Sequence, residues 1–478
     1  MPPVSKVYAE LTAERLERRC MRHLYGGQFE RAEINARRLI ERDPGHASGW
    51  AALRGALAAQ GKPSDAEAMA AGMEPPSPEV TDVIDRIAAQ RLSWRGLVFD
   101  ASERLRVRPM ADFLGPAPTA AALRAGSDVV WSMDPGGDLI EYDPVLDLDG
   151  AAGPAFSWRY RTGPKFVAAI DGAAVVGWGL VLTRDGEFLE EINPACKTRK
   201  YDARREGDEL VFEEPAAHWG RRAVKVFDTP AFLMAGPTDT AFGDWMVNFF
   251  PRLALYEAAG LDCPILLRWK PQPHTLPILE ALGVPSERLI FHEPHQTSLF
   301  PKLYAPCWPS RDKVAPMAGT FDIYRRAALP PPPERPLLYL DRRGLGARPL
   351  ANEEEICQLF ARRGFQIVSP GQLDLDQTRR LFAAPACVAG PFGSAFLNMA
   401  FTANHPAVLA LMPSHLPRHL QEMALWQGDW GNRFAYVLGE PAEPGSLTAP
   451  WTLSLEKVER ALDRMMELIS SQGALAGG

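Results

Sequence analysis

Two arginines, Arg342 and Arg343, follow the apolar run Leu337–Leu340, with Arg348 close behind. Guanidinium forks match phosphate oxygens better than the point charge of a lysine does. Further along, Gly390-Pro391-Phe392-Gly393-Ser394-Ala395-Phe396-Leu397-Asn398 follows a second apolar run and opens a helical pattern. Glycine at 393 lets the backbone come close to a ligand, and first-turn amides point outward with the positive end of the helix dipole. A diphosphate needs that combination. Ser394 and Asn398 lie in the same turn, and Phe392 offers a flat face on which a base or sugar could stack. Each feature also has a plainer reading, the arginines as a solvated basic turn and the glycines as a tight connection. What favours a site is position, because ligands of open parallel sheets bind beyond the carboxyl ends of strands, where both features fall.

Other chemistry is poorly supported. Asp147-Leu148-Asp149 and Asp374-Leu375-Asp376 have the D-x-D form, but the first precedes Gly150 in a turn and the second starts a helix. His292-Glu293-Pro294-His295 and the run from His415 to His419 contain prolines that spoil helical ligand spacing. No metal is expected. Neither a G-x-x-x-x-G-K-[ST] nor a G-x-S-x-G sequence occurs.

The elements that must position these residues are legible as alternation. Beyond the proline segment 330–336, a stiff extended connector, Leu337–Leu340 reads as a strand, Asn352–Arg363 as a helix closed by Gly364, and Phe365–Val368 as a strand. Asp374–Ala383 is a helix opened by an Asp-x-x-Gln capping signal, Cys387–Ala389 a strand, Ser394 the start of a helix, and Val408–Leu411 a strand. Such alternation means a parallel sheet covered on both faces. Residues 233–329 alternate similarly, with a helix over Asp244–Ala259, a strand over Pro264–Leu267, a helix over Thr275–Leu282 and a strand over Leu289–Phe291. Between 92 and 232 short β-type runs meet Asp171-Gly172 and Asp185-Gly186, both hairpin signals. Ser454–Ser470 is an amphipathic helix.

The first eighty residues are helical. Gly27, Ala32, Glu33, Ala36 and Pro44 recur 34 positions later as Gly61, Ala66, Glu67, Ala70 and Pro78, a period that resembles the tetratricopeptide repeat. A plain helical hairpin is the alternative. The expected divisions are thus a helical extension over 1–85, a lobe over 92–329, the linker 330–336, a second lobe over 337–450, and a terminal helix and tail over 451–478.

A chain of 478 residues is too long for one core, and 46% hydrophobic with 23% charged residues is a globular composition. A net charge of −7 argues against nucleic acid as partner. Six scattered cysteines without a C-x-x-C pair fit reduced thiols, and the first ten residues lack an apolar leader. A cytoplasmic protein with at most peripheral membrane contact is the expectation. The charge-free stretch between Arg380 and Arg418 is interrupted by prolines and glycines that a membrane helix tolerates poorly.

Four segments in order, Gly243-Asp244-Trp245 leading to Pro251-Arg252-Leu253, then Tyr339-Leu340-Asp341-Arg342-Arg343, Asn352-Glu353-Glu354 and Gly390-Pro391-Phe392-Gly393-Ser394-Ala395, resemble glycosyltransferase family 61 over residues 177–412. That family includes capsular-polysaccharide-type transferases and protein O-glycosyltransferases. The resemblance implies an α/β fold of two Rossmann-like lobes (a GT-B architecture) behind the helical extension, inversion at the anomeric carbon, and no required metal or cofactor. The donor would be a nucleotide-sugar, UDP-linked by expectation, and the transferred unit a hexose or pentose. It would lie against Arg342, Arg343, Phe392, Gly393, Ser394 and Asn398. A glycan or protein acceptor would enter beside Trp245 and Arg252, and residues 1–85 could recruit a protein partner.

Two departures stand out. Asp244 and Phe392 occupy positions where the family pattern has histidine. Inverting transfer needs a base for the acceptor hydroxyl. Asp244 is one candidate, since a desolvated carboxylate has a raised pKa; it is equally suited to cap the helix that starts there. Asp239 is a second candidate base, with a loop turn as its alternative. The departures leave open a catalytically inactive scaffold that keeps the fold, or an epimerase or hydrolase on it.

Overall fold

The computed structural model describes residues 165–183, 187–189, 223–308 and 321–476 apart from a few short gaps. It also describes the helix Phe29–Arg42, isolated helical residues between 16 and 57, and short strands between 104 and 212. The chain forms two compact units, neither continuous in sequence. One comprises residues 1–113, 171–228 and 293–301; the other comprises 114–170, 229–292 and 302–478.

In the first unit, Cys20, Ala36, Ala52, Leu53 and Leu57 form a small buried cluster with Ile40 against it. Ala32 and Ala36, two members of the 34-residue pattern, are fully buried on Phe29–Arg42. Small side chains at these two positions allow close helix approach. Gly27, Pro44, Gly61, Ala66, Glu67, Ala70 and Pro78 lie outside the described residues.

The hairpin signals fared differently. Leu180–Leu182 pairs antiparallel with the strand Val167–Val176 on one side and with Phe188 on the other. The second pairing brackets Asp185-Gly186, where a turn is expected. Asp171-Gly172 makes no turn, however: the strand runs straight through it, and Gly172 takes a φ of 61° within the strand. The reversal falls at Gly177-Trp178-Gly179, where both glycines have positive φ and Gly179 N–H donates to Val176 O. Two glycines in the left-handed region supply a tighter reversal than one Asp-Gly step.

The second unit carries the candidate site. From residue 229 onward the apolar runs become β1 (Ala231–Leu233), β2 (Ile265–Arg268), β3 (Leu289–His292) and β4 (Gln296–Pro306), of which residues 302–306 belong to this unit. After the proline segment come β5 (Leu337–Leu340), β6 (Gln366–Val368), β7 (Cys387–Pro391), β8 (Ala407–Pro413) and β9 (Arg433–Pro441). β3, β2, β1 and the Leu303–Tyr304 part of β4 pair in parallel. β6, β5, β7, β8 and β9 form a second parallel set in that order, with Trp451–Thr452 antiparallel on its edge. The described residues are therefore α/β, with two large sheets and a separate two-stranded one.

Period-two alternation explains how the second sheet is held. Tyr339, Ala389, Leu409 and Leu411 face one side, against Ile356 and Phe360 of the helix Glu353–Arg362 and Val458, Leu462 and Met465 of Leu455–Ala476. Leu338, Leu340, Val408, Ala410 and Met412 face the other, against Phe382, Phe396, Met399, Leu420 and Met423. Each fully buried valine, leucine, isoleucine, phenylalanine or methionine among them contributes roughly 1.5–3 kcal/mol. The capping signal at Asp374 forms as a reciprocal box with Gln377, 2.7 and 3.0 Å. The charge-free stretch becomes β7, a 3₁₀ helix over Ser394–Phe401 and β8, both strands wholly buried. Among the described residues no helix is long and apolar enough to cross a membrane.

One helix departs from expectation. The pattern over 244–259 is not one helix: a first turn at Phe242–Asp244 widens into a π segment over Trp245–Phe249, and Arg252–Ala258 follows Pro251. Pro251 lacks the N–H that would continue the ladder. The N-cap is Ala241, so Asp244 stands in the third helical position and does not cap.

Candidate functional site

The carboxyl edge of the second sheet is built for close backbone approach. Gly390 has φ 152°, and a Cβ there would lie 2.7 Å from Leu340 O on β5. No other residue fits between the strand ends. Gly393, beyond them, has extended backbone (φ 175°), so space rather than conformation selects it. A Cβ on Gly393 would collide with the Arg342 guanidinium, whose Cζ would be 3.0 Å away. Arg342 thus lies directly on Gly393, at the amino end of the 3₁₀ helix, whose first N–H groups have no acceptor within the helix.

Arg342 is half-buried. Burial, and then repulsion from Arg348, lowers its pKa, with Glu353 opposing. Adjacent, Arg343 turns outward. Its side chain donates to both Asp341 oxygens at 3.0 Å and to Glu354. Burial alone would raise the Asp341 carboxyl, but the bonds from Arg343 and from Ser369 outweigh it and hold the group low. Glu353 is 3% exposed and accepts the Arg342 backbone N–H at 2.7 Å; burial pushes its carboxyl up to about 7. Asp341, Glu353 and Cys357 bring potential metal-ligating atoms within 4.8 Å of one another. Both carboxylates already accept hydrogen bonds, and together they fix the turn that presents Arg342.

The rest of the loop is more committed than its sequence shows. The Phe392 ring is half-buried, with the Arg348 guanidinium 5.1 Å from its centroid and His419 edge-on at 5.4 Å. Arg348 has a φ of 54°, and burial lowers its pKa. Ser394 is exposed at the helix start. Asn398 is 5% exposed and donates to Ala395 O at 3.0 Å, inside its own helix.

The acceptor-side candidates sit at the corresponding edge of the first sheet. Asp239 is 1% exposed and pairs with Arg268 of β2 at 2.6 Å, while its carbonyl accepts Trp245 Nε1–H at 2.6 Å. Asp244 is 6% exposed and accepts Asn248 Nδ2–H at 3.0 Å. Trp245 is buried against Phe249 and Phe250. Arg252 is 1% exposed; it donates to the carbonyls of Asn248, Leu233 and Ala235 and lies 4.8 Å from the Phe249 and Trp308 ring centroids. Burial lowers its pKa to about 9, against attraction from Cys307 and Asp239, so it stays charged at neutral pH. Trp245 and Arg252 therefore shape this wall from within and present no surface to an acceptor.

The two edges meet. A Cβ on Gly243 would lie 3.2 Å from Ser394 Cβ and 3.5 Å from Leu397 Cδ1, so the Asp244 turn rests on the glycine-rich loop. Tyr324, 1% exposed on the 3₁₀ helix Phe321–Arg326, pins that contact. Its hydroxyl donates to Met246 O at 2.5 Å, and its ring meets Phe250 and Phe401. Single π-helical turns occur frequently at functional sites.

Three further residues carried no functional signal in the sequence. Tyr324 lies in a segment with no helical pattern. His274 packs edge-on against Phe242 at 5.1 Å; burial lowers it to about 4, and its Nε2 is buried without a partner. His415, read only as a poor metal ligand, follows β8 with both ring nitrogens buried and unpartnered. Only tertiary placement reveals all three.

Among curated proteins none matches the chain. Residues 242–409, which run from the Asp244 turn through Arg342 and the glycine-rich loop into β8, match the family model described as Glycosyltransferase 61.

Proposed function

We propose that the chain is an inverting, nucleotide-sugar-dependent glycosyltransferase, with the donor diphosphate held on the carboxyl edge of the second sheet. The observation that carries this is Arg342 lying over Gly393 at the start of the Ser394–Phe401 helix. One guanidinium and outward amides then face one point, which is what a departing diphosphate needs. The family match over 242–409 supports transferase chemistry in general. In this reading the two parallel sheets are the two lobes of a GT-B layout, and the arginine and helix end replace a metal's electrostatic role.

The reaction proceeds by attack of an acceptor hydroxyl on the anomeric carbon. The carbon–oxygen bond to the diphosphate breaks, and the proton passes to a base. Asp244 is the base we assign, because its turn touches the Ser394 loop and Asp239 is already engaged with Arg268. Arg343, tied to Asp341 and Glu354, contributes field rather than contact. Titration of the full chain with UDP- and GDP-sugars tests the reading, followed by assay of nucleoside diphosphate release with candidate glycan and protein hydroxyls. Binding of one donor class and turnover with an acceptor support it; binding of neither removes it.

A second reading rests on the clamped Phe392 and on the Asn248 bond to Asp244: a fold that has lost turnover and acts as a scaffold. It predicts no donor binding in the same titration.

A further inference from the structure

Resting on the donor-site reading above, we propose that Arg348 is the second diphosphate-binding arginine, paired with Arg342 at the glycine-rich loop in the place that sequence order offers to Arg343. The two guanidinium groups bear on consecutive loop residues. Arg342 lies on Gly393, with its Cζ 3.0 Å from where a Cβ would stand, and the Arg348 guanidinium lies 5.1 Å from the ring centroid of Phe392. They are close enough to repel, since Arg348 is one cause of the lowered Arg342 pKa. Two like charges are thus held together at the amino end of the Ser394–Phe401 helix, whose first N–H groups add to the same positive field.

Arg348 is fixed there by its backbone. Its N–H donates to Thr448 O at 3.2 Å, and its carbonyl accepts Trp451 Nε1–H at 3.1 Å. Trp451 N–H in turn donates to the neighbouring Pro349 O at 3.1 Å. Trp451 is 1% exposed on the edge strand of the second sheet, so the anchor is part of the core. Arg348 also has a φ of 54°, a region that a residue with a side chain enters at a cost. Backbone of this kind persists where its surroundings over-determine it, and it gathers at ligand clamps.

The state of the side chain points to a ligand. Arg343 is neutralised by Asp341 and Glu354. Arg348 has no such counter-ion among the described residues: burial lowers its pKa, and no carboxylate offsets the effect. Its Nε is buried without a hydrogen-bond partner, although the residue as a whole is partly exposed. A half-buried guanidinium with an unmet donor, beside a second positive charge, is costly until an anion arrives. A diphosphate is that anion. Its oxygens accept from both guanidinium groups, and its charge offsets their repulsion through charge-assisted bonds of the strong kind.

The test is isothermal titration of the full chain with UDP, and with GDP in parallel, for the wild type, Arg348→Met and Arg348→Lys. Arg348→Met keeps a long apolar stem against the Phe392 ring and removes the charge. It is expected to weaken the diphosphate by about tenfold, the scale of one charge-assisted hydrogen bond. Arg348→Lys, which restores the charge, recovers part of the loss. Affinity should also fall less steeply with added salt in Arg348→Met than in the wild type, a readout that loosened packing alone would not move. Should Arg348→Met fold poorly in thermal melting, Arg348→Gln takes its place with the same expectations. Affinity within about twofold of the wild type in the uncharged variant, or equal losses in both variants with the salt dependence unchanged, overturns the assignment alone. A wild type that binds neither nucleotide overturns the donor site together with it.

Discussion

Arg342 and Arg343 are neighbours in sequence with different fates, and the difference is measurable. Arg342 lies on Gly393, whereas Arg343 is held by two carboxylates. Arg342→Ala should lower UDP or GDP affinity at least tenfold, the loss of a charge-assisted contact to phosphate. Arg343→Ala should change it less than threefold, since screened surface pairs contribute little; equal effects in titration would contradict the distinction. Asp244→Asn should reduce transfer by 10²–10⁴-fold, the usual range for a general base, with donor affinity retained. Transfer that survives the change removes Asp244 from that role. Glu353 gives a pH signature. Its folded value of about 7 lies above the ordinary 4.5, so between those values the folded chain keeps a proton that the unfolded chain has released. Its contribution to stability therefore falls as pH rises from about 4.5 to 7. Denaturant midpoints should lose that slope in Glu353→Gln, and an unchanged slope would refute the assignment.

At the scale of elements, the site depends on two short helical pieces kept in contact. Gly393→Ala places a methyl group where the Arg342 guanidinium lies, and that flexible tip can move aside. The fold should survive, and nucleotide affinity should fall about as far as in Arg342→Ala; calorimetry alongside thermal melting separates the two effects. Tyr324→Phe removes the bond to Met246 O that ties the π segment down. About 1 kcal/mol of stability should go with it, read from denaturant unfolding.

How these elements were legible follows from their physics. β5, β7, β8 and the capping box at Asp374 were plain, because buried strands and caps are local signals. Asp171-Gly172 misled, since the dipeptide lies inside a continuous strand and the true reversal used two glycines further on. The break at Pro251 was hidden under a continuous apolar stripe that fits a π segment as well as an α-helix.

For the whole molecule, the sequence reached one conclusion by convergence: two strand ends beside each other could hold a diphosphate. Arg342 and Gly393 do meet, over a sequence separation no local pattern spans. Arg252 and Trp245 could not be placed from sequence, because a buried arginine satisfied by three carbonyls looks the same as one that greets a substrate. His274 and His415 were equally invisible, because a buried ring nitrogen without a partner leaves no local pattern in the sequence. The division into two discontinuous units was equally out of reach, since strands remote in sequence join within each.

The most direct measurement is a crystal structure of the full chain grown with UDP, and with GDP in parallel. Diphosphate oxygens are expected within hydrogen-bond distance of the Arg342 guanidinium and of the first amides after Gly393. A diphosphate bound elsewhere on the chain, with the Gly393 notch empty, would contradict it.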